Sequence, residues 1–167
     1  MNVDADTELS PEELGAMGMD LMGLWAAGGT LAEAKGMTLR ECEAVYALGH
    51  ARYSQGKHED AFRIFAFLVA YDHLDTRYQM ALAASLQATR RYEEALQQYM
   101  FVTLMRVDDP APVYHSAECL LALGRVDDAA ESLEMVIDTM CKPGEHDAIK
   151  LHAQALLKAL RQKTEGD

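Results

Sequence analysis

The sequence predicts an all-α protein whose middle is a row of helical hairpins. Three segments, GKHEDAFRIF, RRYEEALQQY and GRVDDAAESL, align on an alanine that follows two acidic residues. These alanines are Ala61, Ala95 and Ala129, each 34 residues from the next. Two equal intervals of 34 residues are the period of the tetratricopeptide (TPR) repeat, a pair of helices that packs on its neighbours.

The residues around these alanines fit a packed pair of helices, here A and B. Two helices in contact need a small residue where they touch and a large one to fill the gap. Small residues stand at repeat position 8 of helix A, namely Gly49, Ala83 and Ala117. Large residues stand at position 24 of helix B, namely Phe65, Tyr99 and Leu133. The pattern predicts the pairs 42–54 with 58–71, 76–88 with 92–105, and 110–122 with 126–140.

The turns between paired helices carry a second signal. Gly56 and Gly124 stand at position 15, where the backbone often needs a positive φ. Arg90 takes this position in the second repeat, so we expect that turn to be built differently. Acidic pairs open each B helix, where they complement the helix dipole: Glu59-Asp60, Glu93-Glu94 and Asp127-Asp128.

Helices are also predicted on both sides of the repeats. Ser10-Pro11-Glu12-Glu13 has the N-cap serine, N1 proline and N3 glutamate of a helix start, and the helix should run to about Ala27. Its apolar face is either a homodimer interface or a surface that packs on the first hairpin. The candidate dimerisation residues are Leu14, Met17, Leu21, Leu24 and Trp25. After Pro143-Gly144, the segment Glu145–Lys163 is predicted to be a capping helix.

The predicted fold is therefore a superhelical array of three TPR helix hairpins with an N-terminal helix and a C-terminal capping helix. The repeats span 42–75, 76–109 and 110–141, preceded by a helical segment at 10–41 and followed by the capping helix at 142–163. Residues 1–9 and 164–167 are expected to be disordered. A chain of 167 residues that is half hydrophobic can bury a core of its own.

Charge and composition narrow the classes of partner. Fifteen Lys and Arg against 27 Asp and Glu give a net charge of −12, which repels phosphate backbones and anionic lipid. We therefore expect neither nucleic acid nor membrane as a partner. The opening residues MNVDADTELS have no basic or apolar signal region, and the chain lacks an apolar run of about 18 residues, so a cytoplasmic protein is expected. The widely spaced Cys42, Cys119 and Cys141 suit a reducing compartment.

Patterns typical of catalysis or metal binding are weak in this sequence. His50 and His58 are eight residues apart, and His146 and His152 are six apart, so neither spacing places two imidazoles on one helix face with a carboxylate between them. There is no P-loop, GxGxxG or GxSxG motif. Cys119 is interpreted as a small buried hydrophobe. The sequence predicts no enzyme, no cofactor and no metal site.

The A helices are expected to line the inner, concave face of the array. Tyrosines beside small residues there would form shallow apolar pockets with hydroxyls at their rims, which suits an extended peptide. For Tyr46 and Tyr53 the alternative is one packed stripe of the first helix, and for Met80, Tyr114 and His115 groove and core both stay open. The candidate peptide-binding residues are Tyr46, His50, Tyr53, Arg77, Met80, Ala84, Gln87, Tyr114, Glu118 and Leu121.

Four stretches together resemble one protein family. They are GGTL at 28–31, YALGHARYSQGKHEDAFRIF at 46–65, YDHLDTRY at 71–78 and YHSAECLLALGRVDDA at 114–129. In this order and spacing the chain is similar to the LcrH/SycD family, the class II chaperones of type III secretion systems in Gram-negative bacteria. The resemblance covers roughly residues 20–140.

The resemblance implies a function and a partner. It implies a cytoplasmic chaperone that binds hydrophobic translocator proteins and keeps them soluble and secretion-competent. It also implies that an N-terminal segment of the translocator lies extended in the concave groove. Two alternatives stay open: a regulatory TPR protein that binds a transcription activator, and a scaffold that binds a component of the secretion apparatus.

Overall fold

The computed structural model describes residues 30, 36–142 and 144–164. The expected disordered N-terminus, the predicted N-terminal helix and residues 165–167 lie outside this part of the chain. The candidate dimerisation residues therefore also lie outside it: Leu14, Met17, Leu21, Leu24 and Trp25.

The described residues form helices and turns and contain no strand. The α-helices are α1 (Leu39–Ser54), α2 (His58–Tyr71), α3 (Thr76–Ala88), α4 (Tyr92–Met105), α5 (Ala111–Ala122), α6 (Val126–Met135) and α7 (Asp147–Thr164). Each helix packs on the next, so that α1/α2, α3/α4 and α5/α6 are three stacked hairpins and α7 covers the last one. The predicted all-α array of TPR hairpins is confirmed.

Capping residues explain where the first helix begins. The Oγ1 of Thr38 accepts a hydrogen bond from the backbone N–H of Glu41 at 3.3 Å, and the Glu41 carboxylate accepts one from the N–H of Thr38 at 2.8 Å. This reciprocal capping box starts α1 at Leu39, a few residues before the predicted position 42. At the other end of the chain, α7 includes Thr164, the first residue of the segment expected to be disordered.

The packing of small against large residues is confirmed in the hairpins. Gly49 of α1 lies so close to α2 that a Cβ on it would stand 2.5 Å from Cε1 of Phe65. Phe65 therefore fills the space inside its own hairpin, next to the glycine. The equivalent small and large residues of the other repeats are also buried: Ala83, Ala117, Tyr99 and Leu133, together with the aligned alanines Ala61, Ala95 and Ala129.

The turn of the second hairpin differs from the expectation. Arg90 has φ 62°, in the same left-handed region as Gly56 at 75° and Gly124 at 77°. The N–H groups of residues 90 and 91 bond to carbonyls of the preceding helix at 3.0 and 2.9 Å, as those of residues 56 and 57 do at 2.9 and 3.0 Å. The prediction of a differently built turn was wrong. Because the packing of the two helices fixes the path of the turn, arginine takes the conformation that glycine takes elsewhere.

The third B helix changes its winding before it ends. One α-helix was predicted to run to residue 140, but α6 ends at Met135 and residues Val136–Met140 form a π-helical turn. The N–H of Cys141 bonds to the carbonyl of Val136 at 3.1 Å, five residues back. This wider turn brings Cys141 to the side of Val136, and both are buried in the core under α7.

Two hydrophobic clusters support the array. One lies among α1 to α4 and includes Cys119 of α5, which is fully buried as predicted. The other lies among α5, α6 and α7, where Ala153 and Leu157 of α7 are buried. Leu96 of α4 packs against both clusters, so the hairpins share a continuous core. Within the described part of the chain, no helix has the length and apolar character needed to span a bilayer.

Candidate functional site in the concave groove

An aromatic cluster lies at the junction of the first two repeats, among residues that the sequence predicts to line the groove. The ring of Tyr46 lies 4.5 Å from that of His50, 5.8 Å from Phe65 and 5.3 Å from Tyr78, centroid to centroid. The guanidinium of Arg77 lies 5.5 Å from the ring centroids of both Tyr46 and Tyr78. Burial raises the pKa of the Tyr46 hydroxyl, so it is a neutral phenol at physiological pH. Tyr46 is half-buried and belongs to this cluster while it keeps one side accessible.

Arg77 is held by two carboxylates. Its Nη2 lies 2.7 Å from Oδ2 of Asp75 and 2.8 Å from Oε1 of Glu43, and its Nε bonds to Asp75 at 3.1 Å. Hydrogen bonds to Asp75 and then to Glu43 raise the pKa of Arg77 further above its usual range. Glu43 and Arg77 stand at the same position of successive repeats, so the ion pair joins α1 to α3. The positive charge of Arg77 is thus already matched within the chain.

A cavity of about 470 Å³ lies between the three repeats, and we name it the Glu118 pocket. Side chains of α1, α3, α4 and α5 line it: Tyr53, Ala84, Gln87, Ala88, Tyr92, Tyr99, His115, Glu118 and Ala122. Four of the predicted groove residues meet here, namely Tyr53, Ala84, Gln87 and Glu118. The small side chains of the alanines leave the cavity open, and the aromatic rings together with the polar side chains of Gln87 and Glu118 form its walls.

A chain of hydrogen bonds crosses the floor of this pocket. The hydroxyl of Tyr99 donates to Oε1 of Gln87 at 2.7 Å, and Nε2 of Gln87 donates to Oε2 of Glu118 at 3.0 Å. Nδ1 of His115 lies 2.8 Å from the same oxygen of Glu118. The rings of Tyr99 and His115 stack with their centroids 5.6 Å apart. Because these contacts join α3, α4 and α5, residues of the second and third repeats together form the floor of the pocket.

The side chains around Glu118 stabilise the ionised form of its carboxyl group. Burial by itself raises the pKa of the carboxyl, but hydrogen bonds from His115 and Gln87 outweigh it and hold the pKa below its usual value. Glu118 is therefore ionised at neutral pH. Next to it, burial and the Glu118 charge raise the pKa of the Cys119 thiol to about 12, so this thiol stays protonated.

The remaining predicted groove residues lie outside the Glu118 pocket. His50 is exposed and contacts Tyr46, as described above. Met80 is half-buried and packs against the first hydrophobic cluster. Tyr114 and Leu121 pack against the second cluster, and the Tyr114 ring lies 6.4 Å from that of His152 in α7.

Five residues of the pocket were not among the predicted site residues, namely Ala88, Tyr92, Tyr99, His115 and Ala122. Tyr92 and Tyr99 belong to a B helix, whereas the prediction took groove residues from A helices alone. They are seven residues apart on α4 and so share one helix face, a spacing that could have indicated their common role. His115 is on an A helix, and its placement between groove and core had been left open.

Comparison with known proteins places these features in a family, although no protein-family model matches the chain. The low calcium response locus protein H of Yersinia pestis is 30% identical over 138 residues, which are 83% of this chain and 82% of that protein. The structure of the Yersinia enterocolitica type III secretion translocator chaperone SycD has 30% identity and a TM-score of 0.73, covering 78% of this chain and 98% of SycD.

Two relatives have been solved with peptides. PcrH of Pseudomonas aeruginosa, in complex with the chaperone binding region of PopD, has 35% identity and a TM-score of 0.70, covering 77% of this chain and 97% of PcrH. SycD has been solved with a peptide of the translocator YopD, at 29% identity and a TM-score of 0.70, covering 77% of this chain and 98% of SycD. These relatives are chaperones and not enzymes. In its sequence and in its stacked hairpins, the chain belongs to the LcrH/SycD family of type III secretion translocator chaperones.

Proposed function

We propose that this chain is a cytoplasmic chaperone of a type III secretion system, which binds hydrophobic translocator proteins and keeps them soluble and secretion-competent. Membership of the LcrH/SycD family supports this function, as do the complexes of SycD and PcrH with segments of YopD and PopD. The net charge of −12 also supports solubility of the chaperone itself.

The client site that we propose is the concave groove. The observation that carries this proposal is the pairing of two accessible surfaces along the A helices, the aromatic cluster around Tyr46 and the Glu118 pocket. An extended segment points alternate side chains to one side, so two such surfaces can take two anchors of one segment. An apolar anchor buried against the aromatic cluster contributes about 1.5–3 kcal/mol before the cost of ordering the segment.

The chemistry of the groove favours binding over catalysis. Cys119, next to Glu118, is fully buried, and its pKa of about 12 leaves almost no thiolate at neutral pH. The carboxylate of Glu118 is engaged by Gln87 and His115. We therefore infer a binding protein with no reaction of its own.

The test is co-expression with the translocators of the same organism, followed by purification of soluble complexes. The groove variant is Tyr46→Ala with Tyr53→Ala, since these side chains belong to the aromatic cluster and to the Glu118 pocket. A matched control is Phe67→Ala with Tyr71→Ala, which removes an aromatic pair of α2 whose ring centroids lie 4.4 Å apart. Circular dichroism and thermal melting verify that both variants are folded at the assay temperature.

We expect the wild type and the α2 variant to co-purify with a translocator and the groove variant to lose it. If the wild type keeps no translocator soluble, the chaperone function is refuted. If the α2 variant loses the client and the groove variant retains it, the function stands and the client site moves to the outer face.

A homodimer stays a prediction for this chain. A structure of SycD is described as an alternative dimer, which supports self-association in the family. The candidate interface residues lie outside the described part of the chain, so the test is made in solution. We expect light scattering to give the mass of a dimer for the full chain and of a monomer for a Leu21→Asp, Leu24→Asp variant; equal masses would contradict this interface.

A further inference from the structure

Glu118 differs from the other carboxylates of the groove in its partners. Glu43 and Asp75 share the guanidinium of Arg77 at 2.8 and 2.7 Å. Among the ion pairs of the described residues, Glu118 has neither a lysine nor an arginine, and its charged-group contact is the imidazole of His115. The pocket thus holds a half-buried carboxylate without a lysine or arginine partner from the described part of the chain.

Aromatic rings surround the space beside this carboxylate. Tyr53, Tyr92, Tyr99 and His115 contribute ring surface, while three alanines leave the cavity of about 470 Å³ open. The faces of aromatic rings attract cations, and an ionised carboxylate makes its strongest hydrogen bonds with cationic donors. The combination of a carboxylate and several rings in one cavity is the arrangement that a cationic side chain fits.

Other side chains fit the pocket less well. An apolar side chain would cover Glu118, and removing an ionised carboxylate further from water without a counter-charge is costly. A neutral amide or hydroxyl could bond to Glu118 but would leave its charge unmatched. A lysine or arginine both matches the charge and lays its methylene stem along the tyrosine rings.

We propose that the Glu118 pocket binds a lysine or arginine side chain of the client segment, with the cationic group on Glu118 and the stem between the rings of Tyr53 and Tyr92. The inference rests on the proposed function in one respect, since it assumes that an extended segment of the client binds in the concave groove. It adds a charge requirement to that function: the client segment carries a basic residue beside its apolar anchors.

The test uses a library of random twelve-residue peptides displayed on phage and selected against the full chain. Three versions are compared, the wild type, Glu118→Gln and Glu131→Gln. Glutamine keeps the size of Glu118 and one acceptor oxygen for Gln87 and His115. Glu131 is an exposed glutamate of α6 outside the pocket, so its variant makes the same change of charge elsewhere. We expect a fixed basic position among peptides selected by the wild type and Glu131→Gln and its loss with Glu118→Gln.

A direct measurement then compares one selected peptide with a version in which the basic residue is acetyl-lysine, which is neutral. By fluorescence anisotropy we expect the wild type to bind the lysine peptide about tenfold more tightly than the acetylated one, and Glu118→Gln to bind the two within about twofold. The preference of the wild type should shrink as salt is raised.

A second variant tests the pocket without altering Glu118. Ala122 is exposed, lines the pocket and follows Glu118 by one helical turn, so Ala122→Lys places an ammonium group on that carboxylate from within the chain. We expect Ala122→Lys to remove the preference for lysine and Ala122→Gln to retain it.

The outcomes separate the inference from the proposed function. Selected peptides without a basic position, or a preference that Glu118→Gln and Ala122→Lys leave unchanged, would overturn the basic-residue pocket even where translocators co-purify. A preference that depends on Glu118 in a protein that keeps no translocator soluble would uphold the pocket and overturn the chaperone function.

Discussion

Arg90 holds a left-handed backbone conformation, with φ 62°, at the position where the other two hairpins have glycine. Such a conformation costs a residue with a Cβ about 1–2 kcal/mol. Glycine avoids this cost but loses more backbone freedom on folding, about 0.5–1 kcal/mol. The side chain of Arg90 is exposed, so little packing is lost when it is removed. Arg90→Gly is therefore expected to raise the free energy of unfolding by about 0.5–1 kcal/mol.

Urea unfolding followed by circular dichroism at 222 nm measures this change, provided that the slope with urea is unchanged. The melting temperature should rise by about 1–4 °C. The reciprocal variant is Gly124→Arg, because Gly124 has φ 77° and a Cβ built there meets no atom within 4 Å. Its loss of stability should be of similar size and opposite sign. If Arg90→Gly lowers the stability, or if Gly124→Arg leaves it unchanged, the left-handed conformation is not the source of strain in these turns.

Three further predictions follow from burial and charge. Gly49→Ala should lower the free energy of unfolding, measured with urea, by about 1–2 kcal/mol. The reason is that the new Cβ would collide with the buried ring of Phe65, and this clash outweighs the better helix propensity of alanine. Phe65→Leu in the Gly49→Ala background should recover part of the loss, whereas additive losses would argue against the collision. Cys119, with its pKa of about 12, should resist iodoacetamide at pH 8 until urea unfolds the chain. Mass spectrometry of the tryptic peptide that contains Cys119 follows the labelling, and rapid modification of this peptide in the native protein would contradict the burial of Cys119. The pKa of Glu118 is lower in the folded state than the unfolded value of about 4.3, so its stabilising contribution is present above that value and is lost as the pH falls through the folded pKa. Between about pH 6 and pH 3 the wild type should lose more stability than Glu118→Gln, and parallel curves would show that the folded protein does not favour the ionised form.

The helix pairs could be predicted because their signals are local or periodic. The aligned alanine of helix B and the small residue at position 8 of helix A must both be present for two helices to touch, and the 34-residue period repeats this requirement three times. Phe65, Tyr99 and Leu133 then follow as the residues that fill the remaining space, and all three are buried. These predictions needed no knowledge of how one repeat sits on the next.

Two errors arose where packing overrides a local preference. Glycine was treated as a requirement of the turn, but its advantage at positive φ is about 1–2 kcal/mol, which the packing of α3 against α4 exceeds at Arg90. The π-helical turn after Met135 places Val136 and Cys141 in the same core as Ala153 and Leu157 of α7. A helical pattern read along the chain cannot include a constraint that comes from a later helix.

The groove was predicted only in part because its chemistry depends on contacts between repeats. The A-helix positions gave Gln87 and Glu118, but the bond between them joins residues 31 apart in sequence. Tyr99 was predicted as a space-filling residue, and it is one, yet its buried hydroxyl also needs an acceptor and finds Gln87. At the same repeat position, Phe65 and Leu133 have no polar atom in their side chains. The tyrosine of the middle repeat therefore gives the Glu118 pocket a polar floor, because its hydroxyl bonds to Gln87, which in turn bonds to Glu118. In this way the need to satisfy one buried hydroxyl links the packing of the repeat to the side chains that we propose bind the client.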